Sequence, residues 1–382
     1  MTLRSDLDFS VWNPDSDVSN YKLVEPDDFV VGLRSFQHGI SHSTVRGLVS
    51  PAYTVLRAAP EAEPRFYKYY FRSSLLISQL ANITQGIRQG QAIDMEAFQN
   101  LEIPLPPLAE QRRIADFLDI ETRRMDGLRA ASQRQSALLE ERLTEQLRQL
   151  TTSAGHPEMR ATGVPWMPDM AASWRLHKIG RSFRTGSGTT PRSSDTAYFD
   201  GEHAWVNTGD LRDSWVTEPS KTVTSKALAD YPTLRVYPPG SLVVAMYGAT
   251  TGRVGILGVP ACVNQACCVL SGTGAVDPEF AFFWFRAHRL EILGLASGGG
   301  QPNISQDLVR SLRIPAPAKD EQHRIVRTAR EWQDRIAAQR RLQERRAGLL
   351  AERRQALITA AVTGQFDVTT ASGRNVTGGV AV

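Results

Sequence analysis

Apolar positions follow two different periods along this chain. Residues 240–247, 254–257 and 266–270 are short apolar runs closed off by Gly and Pro, a pattern that predicts strands. Residues 278–293 carry Phe280, Phe283, Trp284 and Ile292 at helical spacing, and 64–80 repeat that pattern. Two further segments are of another kind. Pro104, Pro106 and Pro107 fix an extended approach, and from 109 to 151 there is then no Pro and a single Gly, Gly127. That allows a helix of ~40 residues and ~60 Å. Ile114, Leu118, Met125, Leu128, Leu138, Leu139 and Leu147 fall on one stripe of it, with Arg, Glu and Gln elsewhere. A second such helix is predicted over 319–363, with Ile325, Ala329, Trp332, Ile336, Leu349, Leu350, Leu357 and Ile358 on the stripe and Gly364 ending it. So narrow a stripe wants one partner helix rather than a broad core. The two helices can supply it to each other, or each can find it on another chain.

The chain also repeats itself. Residues 101–151 lie on 312–362 without a gap. LEIPLPPLAEQRRIADFLD in the first copy faces LRIPAPAKDEQHRIVRTAR in the second. Leu101, Ile103, Pro104, Pro106, Glu110, Gln111, Arg113 and Ile114 match Leu312, Ile314, Pro315, Pro317, Glu321, Gln322, Arg324 and Ile325. Leu138-Leu139-x-Glu141-Arg142 matches Leu349-Leu350-x-Glu352-Arg353. Upstream, 25–31 lie on 238–244, 52–56 on 266–270 and 64–72 on 278–286. A repeat this long is a domain-sized module rather than a solenoid unit. The fold class expected is α/β (mixed α+β), with two modules that each end in a long helix. Residues 156–168, with Pro157, Gly163, Pro165 and Pro168, read as a linker, and the Gly-, Ser- and Thr-rich 369–382 as a flexible tail.

Composition narrows the class. Lys and Arg number 44 against 40 Asp and Glu, and a net charge of +4 is too small by itself to announce a polyanionic partner. Placement matters more. Residues 324–354 hold ten Arg against four acidic side chains, a solvated helix face or, beside DNA, a phosphate-neutralising one. The longest apolar runs, such as 241–246, fall far short of the ~20 residues needed to cross a bilayer. Residues 1–17 are acidic and polar rather than leader-like. Three cysteines make neither a disulfide framework nor a CxxC knuckle. These features lead us to expect a cytoplasmic protein with no membrane contact.

A search for catalytic constellations returns little. GATTGR at 248–253 lacks the Lys-Ser/Thr of a phosphate-binding loop. The seven His residues sit at no recurring i, i+4 spacing, so no metal site is expected. Cys262, Cys267 and Cys268 lie in or beside a strand and read as small core residues. Polar, Gly-rich loops are the better lead. One carries Thr185, Ser187, Thr189, Thr190 and Arg192, and another Tyr247, Thr250, Thr251 and Arg253. Gln301 and Asn303 follow three glycines, and Asn207 precedes Thr208-Gly-Asp-Leu211. In the first module Arg34, Gln37, His38, Arg88 and Gln89 hold the equivalent places. Arg, Asn and Gln can meet base edges, while hydroxyls and backbone N–H groups can meet phosphates. Ordinary solvated turns have the same composition.

These residues resemble the specificity subunit of type I restriction–modification systems, over nearly the whole chain. The resemblance is carried by the paired IPLPPLAEQRRIADFLD and IPAPAKDEQHRI segments and by the two Leu-Leu-x-Glu-Arg turns. Gly163-Val-Pro-Trp166 followed by Ser173-Trp174, Thr208-Gly-Asp-Leu211, GLVSPAYTVLR at 47–57 and AAVTGQFD at 360–367 complete it. It implies two target recognition domains, each reading one half of a split, asymmetric site in double-stranded DNA. The long helices then form an antiparallel coiled coil that sets the spacer and docks two methyltransferase (modification) subunits, joined by restriction/translocase subunits. The loop residues above become DNA contacts. Glu110, Gln111, Ile114, Leu118, Leu128, Leu138, Leu139, Glu321, Gln322, Ile325, Trp332, Ile336, Leu349 and Leu350 become coiled-coil or partner-docking positions. S-adenosylmethionine, ATP and Mg belong to the partner subunits, so this chain is expected to be non-catalytic and without a cofactor.

The implied division is 1–104, a partial first recognition domain; 105–155, the first spacer helix; 156–315, linker and second recognition domain; 316–366, the second spacer helix; and 367–382, a tail. One departure stands out. Residues 163–237 precede Pro-Pro-Gly-Ser-Leu-Val-Val in the second module, whereas only 1–24 precede Glu-Pro-Asp-Asp-Phe-Val-Val in the first. The first recognition domain is therefore expected to be shortened. The alternative reading is a truncated remnant that binds methyltransferase subunits without specifying DNA, or serves as a recombination donor.

Overall fold

The computed structural model describes residues 18–32, 34–85, 92–272, 274–296 and 303–370. They fall into two compact units, Met1–Arg134 with Leu342–Val382, and Gln135–Arg341. The division cuts both long helices, which run Leu108–Thr152 and Lys319–Val362, so each unit holds part of each. Among the described residues no helix is long and apolar enough to cross a membrane.

The first unit is built on a three-stranded antiparallel sheet in the order Ser41–His42, Phe29–Val31, Thr54–Leu56. Phe29 and Val31 are buried with Ile40, Phe66, Tyr70, Leu76 and Leu80. The helix Pro64–Tyr70 opens on a proline, whose missing N–H costs nothing at that position. Where one helix was expected over 64–80, two form. The chain stops at Phe71 and restarts as Ser74–Asn82, capped by the Ser73 hydroxyl, which accepts from Leu76 N. Ile114, Leu118 and Met125 from the first long helix and Leu357, Ile358 and Ala361 from the second complete this core. Asp126 and Arg354 pair between the two helices at 3.8 Å.

The second unit has a five-stranded sheet in the order Arg184–Ser187, Cys267–Ser271, Leu242–Ala245, Val254–Leu257, Ser214–Val216, antiparallel except for the last pair. Its central strands are buried along their length, save Ser271 at one end, because both faces are covered. Leu242, Val244, Val254, Ile256, Cys268 and Leu270 face a core shared with the helix Pro278–Ala287, while Val243, Ala245, Leu257, Cys267 and Val269 face a second sheet. Period-two alternation sorts the two sets. That second sheet runs Lys221–Val223, Phe199–Val206, Ala261–Val263. The helix expected over 278–293 also breaks, at His288, into Pro278–Ala287 and Arg289–Gly294.

Residues 156–168 are not an open linker. Met159–Val164 and Met167–Ala171 form an antiparallel hairpin, with Gly163 at φ 72° in the register shift between Ala161 and Val164, a conformation that a side chain would resist. The expected tail beyond 370 lies outside the described residues.

The stripe on each long helix is also narrower than expected. Leu139 and Leu350 pack on the cores of their units, whereas Leu138 is 63% exposed and Leu349 57%. Neighbouring residues on a helix point about 100° apart, so one seam takes only one leucine of each pair. Leu128 is exposed as well.

The two modules differ at one edge. In the second unit Arg313–Ala316 pairs antiparallel with Arg175–Lys178, which buries Ile314 and Ala316. The equivalent residues 102–105 of the first unit are in no strand. There Ile103 is 45% exposed and Leu105 61%, and both line an apolar cleft of about 390 Å³ with Phe29, Leu56, Tyr67 and Phe71.

Candidate nucleic-acid interface

Strand register in the second unit gathers loops at one sheet edge. Ser187, ending its strand, lies opposite Cys268; Ala245 lies opposite Cys267, and Val244 opposite Val254. The second sheet delivers its strand ends to the same place. Asn264 N donates to Val206 O at 3.0 Å, and Thr189 N donates to Val263 O at 3.2 Å. Loops 188–192, 207–213, 246–253 and 264–266 therefore meet at this edge, on a rigid scaffold that presents them together.

Most of the second module's candidates fall in this cluster. Ser187 Oγ donates to Gln265 O at 3.4 Å, Thr190 donates to the Gln265 side chain, and the Thr189 and Thr233 hydroxyls bond each other. Tyr237 OH donates to Ser187 O at 3.0 Å, and Arg192 N donates to Tyr231 OH at 3.2 Å, leaving the Arg192 side chain exposed. Thr185 is half-buried within its strand. Asn207 opens the Thr208–Asp210 turn, its N–H bonded to Asp210 at 2.9 Å. In the next loop Thr251 Oγ1 donates to Gly248 O at 2.6 Å and Arg253 N donates to Thr250 O at 2.9 Å. Tyr247 and Arg253 are exposed, whereas the Thr250 hydroxyl is buried. Asn303 is exposed beside Ile304, whose N–H bonds Met246 O at 2.7 Å. Gln301 lies outside the described residues.

In the first unit Arg34, Gln37 and His38 sit in and beside the short helix Ser35–His38, just past the strand Phe29–Val31, and all three are exposed. Arg34 and His38 border a cleft of about 420 Å³ with Tyr53. Arg88 and Gln89 lie outside the described residues. Sequence reasoning missed Asn264 and Gln265. Their signal was visible as a polar pair interrupting the apolar run from Ala261 to Leu270.

The edge presents hydroxyls, amides and guanidinium groups, a set suited to phosphates and base edges. The thiols behind it are inert. Burial pushes Cys262 up to about 11 and Cys268 up to about 12, and Cys267 further still, so none is a thiolate near neutrality. Among the described residues no group of His, Cys, Asp and Glu could hold a metal ion.

The candidates on the long helices separate into four sets. Ile114, Leu118, Ile325 and Ile336 are buried in the cores, with Leu139, Leu350 and Trp332 packed against them. Leu128, Leu138 and Leu349 face outward. Gln111 and Gln322 are wholly buried inside their own modules, where they bond the chain preceding each helix rather than presenting a surface. Glu110 is half-buried in the first turn, where its charge complements the helix dipole, and Glu321 bonds His156 at 2.7 Å.

Comparison with known proteins adds an independent finding. A family model described as type I restriction modification DNA specificity domain matches residues 48–130 and 173–344. The chain is 24% identical over 192 residues to the type I restriction enzyme MjaIX specificity subunit of Methanocaldococcus jannaschii, a match that covers 49% of this chain and 43% of that one. It thus spans less than half of that relative's length. Among solved structures, it resembles a chain from work on complex assembly and conformational transition of the type I R-M system, with a TM-score of 0.69 at 22% identity, over 90% of this chain and 84% of the other. It also resembles the crystal structure of the HsdS subunit from Thermoanaerobacter tengcongensis, with a TM-score of 0.50 at 21% identity, over 90% and 82%.

Proposed function

The chain belongs to the family of type I restriction modification DNA specificity domains, and we propose that it is the sequence-reading subunit of a type I restriction–modification complex. One observation carries this reading furthest: the loops holding Ser187, Thr190, Asn207, Arg253 and Gln265 converge on one sheet edge of the second unit. Each module reads one half of a split, asymmetric site in duplex DNA. Reading two halves in cis raises affinity through effective concentration, so neither module needs to bind tightly alone.

The long helices serve as the spacer, paired as an antiparallel coiled coil. Each unit contributes support. Asp126 pairs with Arg354 in the first, and Glu140 with Arg340, at 2.9 Å, in the second. Both pairs fall on one antiparallel register, because the step from 126 to 140 is matched by the step from 354 back to 340. The outward Leu128, Leu138 and Leu349 offer apolar contacts to methyltransferase subunits, which restriction/translocase subunits join. S-adenosylmethionine, ATP and Mg act in those partners, and the assembly works on DNA in the cytoplasm.

A second reading applies to the first half-site alone. The edge at Ile103 and Leu105, which pairs with no strand among the described residues, favours a first module that docks but reads poorly. Mapping methylated adenines in the host genome, with and without this gene, tests the main reading. A two-part motif that disappears with the gene is expected. An unchanged methylation map refutes it, and a motif with only its second half specified identifies the second reading.

A further inference from the structure

Resting on the reading of 247–253 as a base-reading loop, we propose that Asp213 and Arg289 are positioning residues that lock this loop to its neighbour and so determine specificity. Neither belongs to the candidate set, and both are only partly exposed. Asp213 ends the 207–213 loop with φ 58°, a left-handed conformation that Asp and Asn tolerate best. Its N–H donates to Val254 O at 2.9 Å, and its Oδ1 accepts from Val254 N at 3.2 Å. The loop's C-terminal foot is thereby held from both sides.

Arg289 closes the arrangement. Its Nη2 donates to Asp213 Oδ1, and its Nε donates to Gly252 O at 3.1 Å. A single guanidinium thus bridges the carboxylate of one loop and a backbone carbonyl of the other. A planar fork holds its two N–H donors in one fixed geometry, which the ammonium on a flexible stem does not. The contact is close. Gly252 has φ 78°, and a Cβ there would come within 3.2 Å of Arg289 Cγ and 3.4 Å of Leu293 Cδ2. Within the loop, Gly252 N donates to Ala245 O at 2.9 Å and Ala245 N to Arg253 O at 2.8 Å, so the backbone that carries the exposed Arg253 side chain is fixed.

The anchor behind Arg289 is rigid too. His288, the preceding residue, is buried between the rings of Trp166 and Trp284 at 5.6 and 5.2 Å. One turn earlier Arg286 Nη1 donates to Gln333 Oε1 at 2.8 Å. Asp213 is therefore the carboxylate that answers Arg289, and the pair transmits the position of the helix Arg289–Gly294 to both loops. Base contacts are lost by displacements well under the length of a hydrogen bond, so a shift of this clamp relaxes discrimination without removing any contacting side chain.

The test uses the complete chain assembled with its methyltransferase. Asp213→Asn keeps the Oδ1 acceptor and the left-handed tolerance but removes the charge, whereas Arg289→Lys keeps the charge and removes the fork. Each is expected to lower discrimination between the correct second half-site and single-base variants about tenfold, with first-half discrimination and methyltransferase co-purification unchanged. Faster amide exchange at Gly252–Val254 is expected alongside. If Asp213→Asn melts far below the parent, Arg289→Lys decides alone. Unchanged discrimination in Arg289→Lys, while Arg253→Ala loses it, overturns the clamp and leaves the reading intact. If Arg253→Ala also changes nothing, the reading of the loop itself fails.

Discussion

Gln111 and Gln322, equivalent in the two modules, make the same three hydrogen bonds. Gln111 Nε2 donates to Glu61 O and Pro106 O at 2.9 and 2.8 Å, and its Oε1 accepts from Glu63 N at 2.7 Å. Gln322 Nε2 donates to Ala275 O and Pro317 O, each at 2.8 Å, and its Oε1 accepts from Asp277 N at 2.8 Å. Each amide thus ties the proline-bounded approach of a long helix to the loop that launches the aromatic helix of its module. Replacing Gln322 by Leu takes the partner from the buried Pro317 carbonyl and from the less buried Ala275 carbonyl and Asp277 N–H. Thermal or denaturant unfolding is expected to show a loss on the order of 2–3 kcal/mol, with a similar loss for Gln111→Leu. Equal stability in both variants would show that the clasp contributes nothing.

Arg253 is the strongest single candidate for base contact, because its backbone is fixed and its side chain is exposed. Arg253→Ala is expected to weaken or relax recognition of the second half-site by ~1–3 kcal/mol, the range of one bidentate base contact. Gel shifts on selected and substituted duplexes, at one stated salt concentration, measure it. A uniform loss across all sequences would make Arg253 a phosphate contact instead.

The edge difference between the modules predicts an asymmetry. Ile314 is buried in a strand opposite His177, while its counterpart Ile103 is half exposed. Ile314→Glu places a carboxylate in a closed core and is expected to cost upward of ~3 kcal/mol, whereas Ile103→Glu is expected to cost under ~1 kcal/mol. Equal penalties in chemical denaturation would mean that the Ile103 edge is covered in solution.

The long helices were legible because nothing interrupts them: the stretch from 109 to 151 has no proline, and the first long helix ends within a residue or two of the expected limits. The same periodicity could not choose between Leu138 and Leu139, because a window of apolar positions does not fix rotation to within 100°. The hairpin at 159–171 was hidden because Gly163, Pro165 and Pro168 also mark linkers, and only pairing across the turn separates the two cases. The candidate loops were legible one by one from Gly, Thr and Arg. Their convergence was not, since Ser187 and Gln265 become neighbours only through strand register. The Asp213–Arg289 bridge left no local signal at all.

Leucine pairs on the helices offer a matched comparison. Leu350 packs on the first unit's core beside Met125, and Leu349 faces outward. Leu350→Asp is expected to destabilise the chain by ~2–4 kcal/mol, and Leu349→Asp by under ~0.5 kcal/mol. Their effects on assembly should separate in the same way. Leu349→Asp, folded and melting like the parent, is expected to weaken co-purification with methyltransferase subunits. Full retention would remove this face from the docking surface.

His288 makes the second unit sensitive to acid. Its ring is buried against Trp166 and Trp284, neither nitrogen has a hydrogen-bond partner among the described residues, and Arg148 adds a like charge. Burial chiefly, then Arg148, lowers its pKa from 6.5 to about 3. The unfolded chain takes up a proton near 6.5 and the folded chain does not, so this contribution to stability is complete above 6.5 and falls as the pH drops toward 3. The slope is about 1.4 kcal/mol per pH unit. Phe fills the same space without needing a partner, so His288→Phe is expected to be neutral or stabilising at pH 7. By pH 4.5 it should be more stable than the parent by on the order of 2–3 kcal/mol. Parallel stability curves for the two proteins between pH 7 and 4.5 would show that His288 can be protonated in the folded chain.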